Sequence, residues 1–424
     1  MTPESLLRAA FHAAIDAAHP DACIPRWLPS PSRGRTIVVG AGKAAAAMAL
    51  AFDRHWEADL TGLVVTATGH GERCPRIEVL EATHPIPTAA GQQAAERILQ
   101  LVAGLTEHDL VVCLLSGGGS ALLPLPAHGL ALAEKQLITG SLLRSGATIG
   151  EINCARRHLS RIKGGRLAAA CHPARLVTLA ISDVPGDAPL DIASGPTVAD
   201  FTTCADALAV LQRYRVDVPS RVVAALRAGE WESVKPGDPR LGRSEYHVVA
   251  ASQQSLEAAA RLAAAHGVTP WIVSDRLEGE ARTVGRDMAG RVADVVRAGR
   301  PVRPPCLLLS GGETTVTVRG PGRGGRNVEF LLAFGLELGS CDNVFALAGD
   351  TDGIDGMEAV AGAIWKPDTS RRAAALGLDP NRFLEDNDAH SFFGSLGDSV
   401  VTGPTRTNVN DFRAVLVLPD ACGR

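Results

Sequence analysis

Residues 306–330 read CLLLSGGETTVTVRGPGRGGRNVEF. The apolar run Cys306 to Leu309 predicts a short buried strand. Ser310-Gly311-Gly312 ends that run with small residues, and Glu313 follows at its tip. Thr315-Val316-Thr317-Val318 alternates as a second strand would. Arg319 to Gly325 is a turn-rich loop of glycines and arginines, and Arg326 opens an amphipathic helix through Glu329, Phe330 and Leu331. Glycines let a backbone approach a ligand closely, a helix N-terminus favours an anion, and an arginine clamps phosphate or carboxylate through paired hydrogen bonds. This junction therefore points to an anion site of the kind used in phosphoryl transfer.

The other strand ends carry related chemistry. Thr36 to Val39 is a short strand followed by Gly40-Ala41-Gly42-Lys43 and an alanine-rich helix to about Phe52. This is no Walker A loop, because Ala44 follows Lys43, and no complete dinucleotide fingerprint, because Ala45 stands where the third glycine belongs. It reads either as a tight strand–helix turn or as a nucleotide site. Lys43 sits where the helix dipole disfavours a cation, a cost that a bound anion would offset. Asp109 to Leu115 is a strand that ends in Ser116-Gly117-Gly118-Gly119-Ser120. Consecutive amides there form either a flexible turn or an anion nest.

Leu176 to Ile181 predicts a further strand, ending in Ser182-Asp183-Val184-Pro185-Gly186-Asp187. Its two carboxylates suit magnesium or a general base, or else cap a plain turn. Val344 to Ala348 ends in Gly349-Asp350-Thr351-Asp352-Gly353-Ile354-Asp355-Gly356. An EF-hand would need an oxygen ligand at 354 and Glu at 361, where Ile354 and Ala361 stand, so calcium storage is rejected. His84, between prolines, reads as a loop residue or a site residue. The basic stretch 151–172 reads as a solvated face, or as one that points Arg157 or Lys163 into a cleft.

The chain has 424 residues, too many for one ordinary core. The polar segment Trp231 to Ser244 divides it into a domain over residues 1–240 and a second over 241–424, with Tyr246 to Ala250 opening the second. A net charge of −4 offers no basic field for nucleic acid, and no polybasic stretch suggests a membrane surface. No apolar run reaches the ~18 residues of a membrane span. The N-terminal segment, with Glu4 and Asp16, reads as an ordinary helix and not an export signal. Nine singly scattered cysteines argue for reduced thiols in a cytoplasmic protein.

Taken together these stretches resemble the type II glycerate kinase (glycerate 2-kinase, MOFRL) family, whose members often carry the label hydroxypyruvate reductase. The resemblance covers nearly the whole chain. It rests on VVGAGKAAAAMA at 38–49, THPIPTAAG at 83–91, LLSGGGSALLPLP at 114–126 and NCARRHLSRIKGGRLA at 153–168. It continues through ISDVPGD and IASGPT within 181–197, SGGETTVTVRGPGRGGRN at 310–327, TDGIDG at 351–356 and TGPTRTNVND at 402–411. Val328 and Arg406 depart from the family pattern.

The resemblance implies two three-layer α/β domains facing a cleft, the first Rossmann-like with a mainly parallel sheet. It implies ATP-dependent phosphorylation of D-glycerate with Mg2+, giving 2-phosphoglycerate and ADP. Lys43 and Arg326 match the family's lysine and arginine near the transferred phosphate or the substrate carboxylate. Asp183, Glu313, Asp350 and Asn408 match its cleft residues. From the chemistry we assign Lys43, Arg326 and Asp183 to catalysis, with Asp183 as base. Ser116, Gly117, Gly118, Gly119, Ser120, Glu313 and Asn408 go to nucleotide binding, and Asp187 and Asp350 to metal. The alternative is an NAD(P)H-dependent hydroxypyruvate reductase. The sequence leaves the oligomeric state open, a homo-oligomer included.

Overall fold

The computed structural model describes residues 1–419. Its strands are β1 Thr36–Ala41, β2 Thr61–Ala67, β3 Ile77–Ala82, β4 Leu110–Leu115, β5 Arg175–Ile181 and β6 Ser244–Ala250. They continue as β7 Thr269–Glu280, β8 Cys306–Thr315, β9 Val344–Asp350, β10 Gly362–Trp365, β11 Ser399–Val400 and β12 Asp411–Val417. Two six-stranded sheets result, ordered β3-β2-β1-β4-β5-β6 and β11-β10-β9-β12-β8-β7. Each belongs to its own compact unit.

The N-terminal unit spans Pro20–Ser182 and Asp187–Val249. Strands β1 to β5 pair in parallel. Every residue of β1 and β4 is buried, so these central strands need apolar or small side chains on both faces. The chain winds outward from β1 to β3, then returns to place β4 on β1's other side. Ligands of such sheets gather outside the carboxyl ends at this reversal, here the turns after β1 and β4. One expectation needs correction. Tyr246 to Ala250 does not open the second domain: it lies in β6, beside β5 at the edge of the first sheet. Periodicity announces a strand but not the sheet it joins.

The C-terminal unit comprises Met1–His19, Asp183–Gly186 and the chain from Ala250 on. Its sheet is mixed: β7 and β8 are parallel, and the remaining pairs are antiparallel. Alternation along the strands feeds two cores. Cys306, Leu308, Val415 and Val417 join Met288, Phe330 and Phe334 of the helices Ala281–Ala298 and Arg326–Leu338. Leu307, Leu309, Ala414 and Leu416 join Phe11 and Leu256 of the helices Pro3–Ala18 and Ser252–Ala265. The first helix therefore belongs with this sheet, and the cut expected at residue 240 does not hold for residues 1–19. Its buried face includes Leu7, Phe11 and Ile15, and the surface covering it lies some 400 residues away: Phe11 meets Phe412 at 5.4 Å between ring centroids.

Two local expectations also change. Ser310-Gly311-Gly312 does not end a strand, because β8 runs on through Thr315, and Val316 to Val318 lie outside any strand. A β-carbon at Gly311 would fall 2.0 Å from Ser252 Oγ, and one at Gly312 would fall 2.3 Å from the Leu277 backbone. Close neighbours, not a turn, require these glycines.

Asp109 ties the entry of β4 to that of β1. Its carboxylate accepts from the backbone N–H of Arg35 and of Thr106, both at 2.7 Å. Burial would raise its pKa, but these hydrogen bonds and the Arg35 guanidinium prevail and hold it at about 2. A depressed folded-state pKa gives stability that is present above the unfolded value of ~4 and lost as pH falls through the folded one. Urea unfolding between pH 5 and 2 should therefore show Asp109→Asn losing less stability on acidification than the wild type. Equal acid sensitivity would contradict this role.

Candidate active site

In the N-terminal unit the turns after β1 and β4 interlock. Lys43 N–H donates to the Gly117 carbonyl at 2.8 Å, and Ala44 N–H donates to Ser116 Oγ at 3.0 Å. Ser116 thus holds the residue that leads into the helix Ala45–His55. A β-carbon on Gly42 (φ 144°) would lie 2.1 Å from Ser116 Oγ, and one on Gly119 would lie 2.8 Å from Ala193 Cβ. These glycines are needed for loop-to-loop packing.

The nest itself remains open. Gly118 takes a left-handed conformation (φ 81°) at the start of the short helix Gly119–Leu122. The N–H groups of Gly117, Gly118 and Ser120 have no hydrogen-bond acceptor among the described residues. His84 and the Lys43 stem lie against Gly118, where a β-carbon would meet them at 3.0 and 3.5 Å. Ser120 Oγ meets Ser194 Oγ at 2.6 Å. Ala193 and Ser194 both hold positive φ, backbone strain of the kind that clusters at functional sites. Lys43 and the Ser116–Ser120 turn, assigned separately from the sequence, are thus neighbours.

In the C-terminal unit three adjacent strands deliver carboxylates to one guanidinium. Asp411 opens β12 and pairs in register with Asp350 of β9 and Gly312 of β8, with Glu313 one residue on. Arg326 reaches all three acids. Nε donates to Asp411 at 2.6 Å, Nη1 to Glu313 at 2.8 Å and Nη2 to Asp350 at 2.7 Å. Burial would lower the Arg326 pKa, but these acids prevail and raise it well above its usual value. Asp411 is fully buried. Its second oxygen accepts from Thr314 N–H at 3.1 Å and from Arg413, while Asn327 Nδ2 donates to the first at 2.8 Å. Burial pushes its pKa up, yet Arg326 and Arg413 outweigh that and keep it below the ordinary carboxylate value.

The helix behind Arg326 begins against another acid. Asp355 accepts from the N–H groups of Asn327 and Val328, both at 3.0 Å, so the anion at this helix N-terminus belongs to the protein. The glycine loop 319–325 likewise serves internal packing. Asn387 Oδ1 accepts from Arg319 and Gly320 N–H at 2.6 and 3.1 Å, and Asp388 accepts from Arg323 N–H at 2.8 Å. β-Carbons at Gly320, Gly322 and Gly324 would strike residues 386–388 at 2.4 to 2.6 Å. Asn387 is held in turn by Glu329, which Arg282 grips at 2.6 Å.

Asp183 also lies in this unit, where Asn408 Nδ2 donates to its carboxylate at 3.3 Å and Asn410 donates to its carbonyl. Asp187 is half-buried with a left-handed backbone (φ 55°) and belongs to the N-terminal unit, whereas Asp350 belongs to the C-terminal one. Asp350 Oδ1 accepts from Asp352 N–H at 3.1 Å. The stretch 151–172 is not a solvated face: Arg157 is buried and paired with Asp200 at 3.0 Å, and Lys163 is buried. Asp411, Asn327 and Ser194 were not singled out from the sequence. Asp411 ends the TGPTRTNVND run directly before an apolar strand, and that placement was the available signal.

Gly325 tests this packing. Its backbone is extended, so alanine adds no torsional strain, but a β-carbon would lie 2.3 Å from the Asp355 carboxylate. Gly325→Ala should cost about 1–3 kcal/mol in urea unfolding by displacing the cap. Unchanged stability would refute the Asp355 contact.

Two family models match the chain: a domain of unknown function (DUF4147) over residues 6–227 and the MOFRL family over 306–411. D-glycerate 2-kinase of Thermotoga maritima is 39% identical over 98% of this chain and 99% of its own length. A protein of Agrobacterium vitis named as a hydroxypyruvate reductase is 50% identical over 98% of this chain and 95% of its own. The crystal structure of a glycerate kinase from Thermotoga maritima superposes with a TM-score of 0.89 at 38% identity, covering 98% of this chain and all of that one. Among the described residues no helix is long and apolar enough to cross a membrane. The chain belongs to the glycerate kinase family of the MOFRL type.

Proposed function

We propose that this protein is a cytoplasmic kinase that transfers a phosphoryl group from ATP to a hydroxyl of D-glycerate, yielding 2-phosphoglycerate and ADP. The observation that carries the choice over a nicotinamide-dependent reductase is the first glycine turn. A dinucleotide site needs the pyrophosphate against that turn and the following helix N-terminus. Here Ser116 occupies the position, with its hydroxyl on Ala44 N–H and against Gly42.

Phosphoryl transfer asks a protein chiefly for positioning and charge neutralisation. Lys43 and the amides of Gly117, Gly118 and Ser120 supply donors for phosphate oxygens. Arg326 supplies a guanidinium whose Glu313 arm is the most exchangeable, since Glu313 is 46% exposed and exposed ion pairs are weak. A ligand oxygen can take Nη1 while Asp411 and Asp350 keep Nε and Nη2 in place. Asn408 orients Asp183, the candidate base for the substrate hydroxyl proton.

The donor set around Arg326 fits Mg2+, because it offers hard carboxylate oxygens and no thiolate or imidazole. Asp350 and Glu313 would hold the ion there; Asp187 is a separate candidate metal ligand within the N-terminal unit. When bound, Mg2+ neutralises phosphate oxygens.

Purified protein should release ADP with D-glycerate, ATP and Mg2+, and should not oxidise NADH or NADPH with hydroxypyruvate. Lys43→Ala and Arg326→Ala should each lower kcat/KM by ~100-fold or more, as expected for loss of a transition-state charge partner. Cofactor oxidation without ADP release would overturn the kinase reading.

A further inference from the structure

The N-terminal unit buries a group of cations beyond those assigned above. Lys163 is 1% exposed and Lys135 is 6% exposed. Lys163 Nζ has no hydrogen-bond partner among the described residues. Lys135 Nζ makes a long contact of 3.4 Å with the Leu125 carbonyl. Arg156 donates to Asn153 Oδ1 at 3.3 Å.

The nearby acids are engaged elsewhere. Asp200 pairs with Arg157 at 3.0 Å, and Asp191 accepts from Asn153 Nδ2 at 3.0 Å and faces Arg157 at 3.7 Å. Arg166, the remaining cation of the group, donates to the carbonyls of Arg157, Lys163 and Trp231. Burying charge without a counter-charge is strongly unfavourable. Burial lowers the pKa of Lys135, Arg156 and Lys163; repulsion from Lys163, Arg166 and Arg156 lowers Lys135 further, and repulsion from Arg156 helps bring Lys163 to about 7.

A polar path leads out of this cluster. Asn153 Oδ1 accepts from Ser194 Oγ at 3.4 Å, and Ser194 meets the half-buried Ser120. Arg156 is also only half-buried.

We propose that Lys135, Arg156 and Lys163 form a second anion site, with Asn153 and Ser194 as polar contacts, that takes a small oxyanion of the phosphate or carboxylate class. The site adjoins the glycine turn through the Ser194–Ser120 contact, and its existence does not depend on the phosphoryl-transfer reading. A bound anion supplies the missing counter-charge and favours the protonated form of Lys163. Binding above pH 7 therefore draws a proton onto Nζ.

Isothermal titration of the full-length protein at pH 8, in two buffers of different ionisation enthalpy, measures this uptake. Inorganic phosphate, D-glycerate and ATP are titrated separately to distinguish the source of the oxyanion. At least one should bind with uptake approaching one proton. In Lys163→Met that uptake should vanish and the affinity should fall about tenfold or more. Without anion, Lys163→Met should unfold at the same temperature as the wild type or higher, since it removes an uncompensated charge. Arg156→Gln should weaken the same titrant and carries the test if Lys163→Met does not fold. Failure of all three titrants to show Lys163-dependent uptake or Arg156-dependent binding would overturn the proposal.

Discussion

The C-terminal site depends on one guanidinium held by carboxylates from three neighbouring strands. Arg326 can meet Asp411, Asp350 and Glu313 together because β12 lies between β9 and β8, with Asp411 opposite both Asp350 and Gly312. A slip of one residue would send Asp411 to the other face of the sheet. The register is fixed in turn by the two cores that alternate along β8 and β12. Asp411 is the pivot: fully buried, it shares its oxygens among two guanidiniums, an amide side chain and a backbone N–H. Truncating one partner of such a buried network leaves an uncompensated charge, a larger loss than the network's net contribution.

A comparable economy organises the N-terminal unit. Two strand-end turns meet at the sheet's reversal, and the Ser116 hydroxyl accepts from Ala44 N–H just before the following helix. The N–H groups of Gly117, Gly118 and Ser120 lie open beside Lys43 among the described residues. The fold is Rossmann-like in strand order, yet Ser116 packs into its first turn, which shows why function has to be argued from the site and not the fold.

Much of this was legible in the sequence because strong local signals agree with the final packing. The mainly apolar runs of β1, β4, β5 and β9 and the small-residue segments that end them placed Lys43, Ser116 to Ser120, Asp183 and Asp350 at strand ends. The failures share a cause. Glycines were read as room for a ligand, whereas Gly320, Gly322, Gly324 and Gly325 make room for residues 386–388 and for Asp355, which only the tertiary structure brings close. Phe11 and β6 were assigned by chain position, but their partners are set by which surface their apolar faces cover. Asp411 reads as the polar start of an apolar strand, and its importance comes from a register that no local pattern encodes.

The central claim is that Asp411 holds Arg326 in its working geometry. The most direct test is the steady-state kinetics of Asp411→Asn, read as ADP release with D-glycerate and MgATP. Asparagine keeps the size of the side chain but removes the charge that Nε meets. The account predicts a folded protein with kcat/KM lowered by ~100-fold, as for loss of a buried partner that positions a charged group. A folded Asp411→Asn protein with wild-type kcat/KM would contradict it.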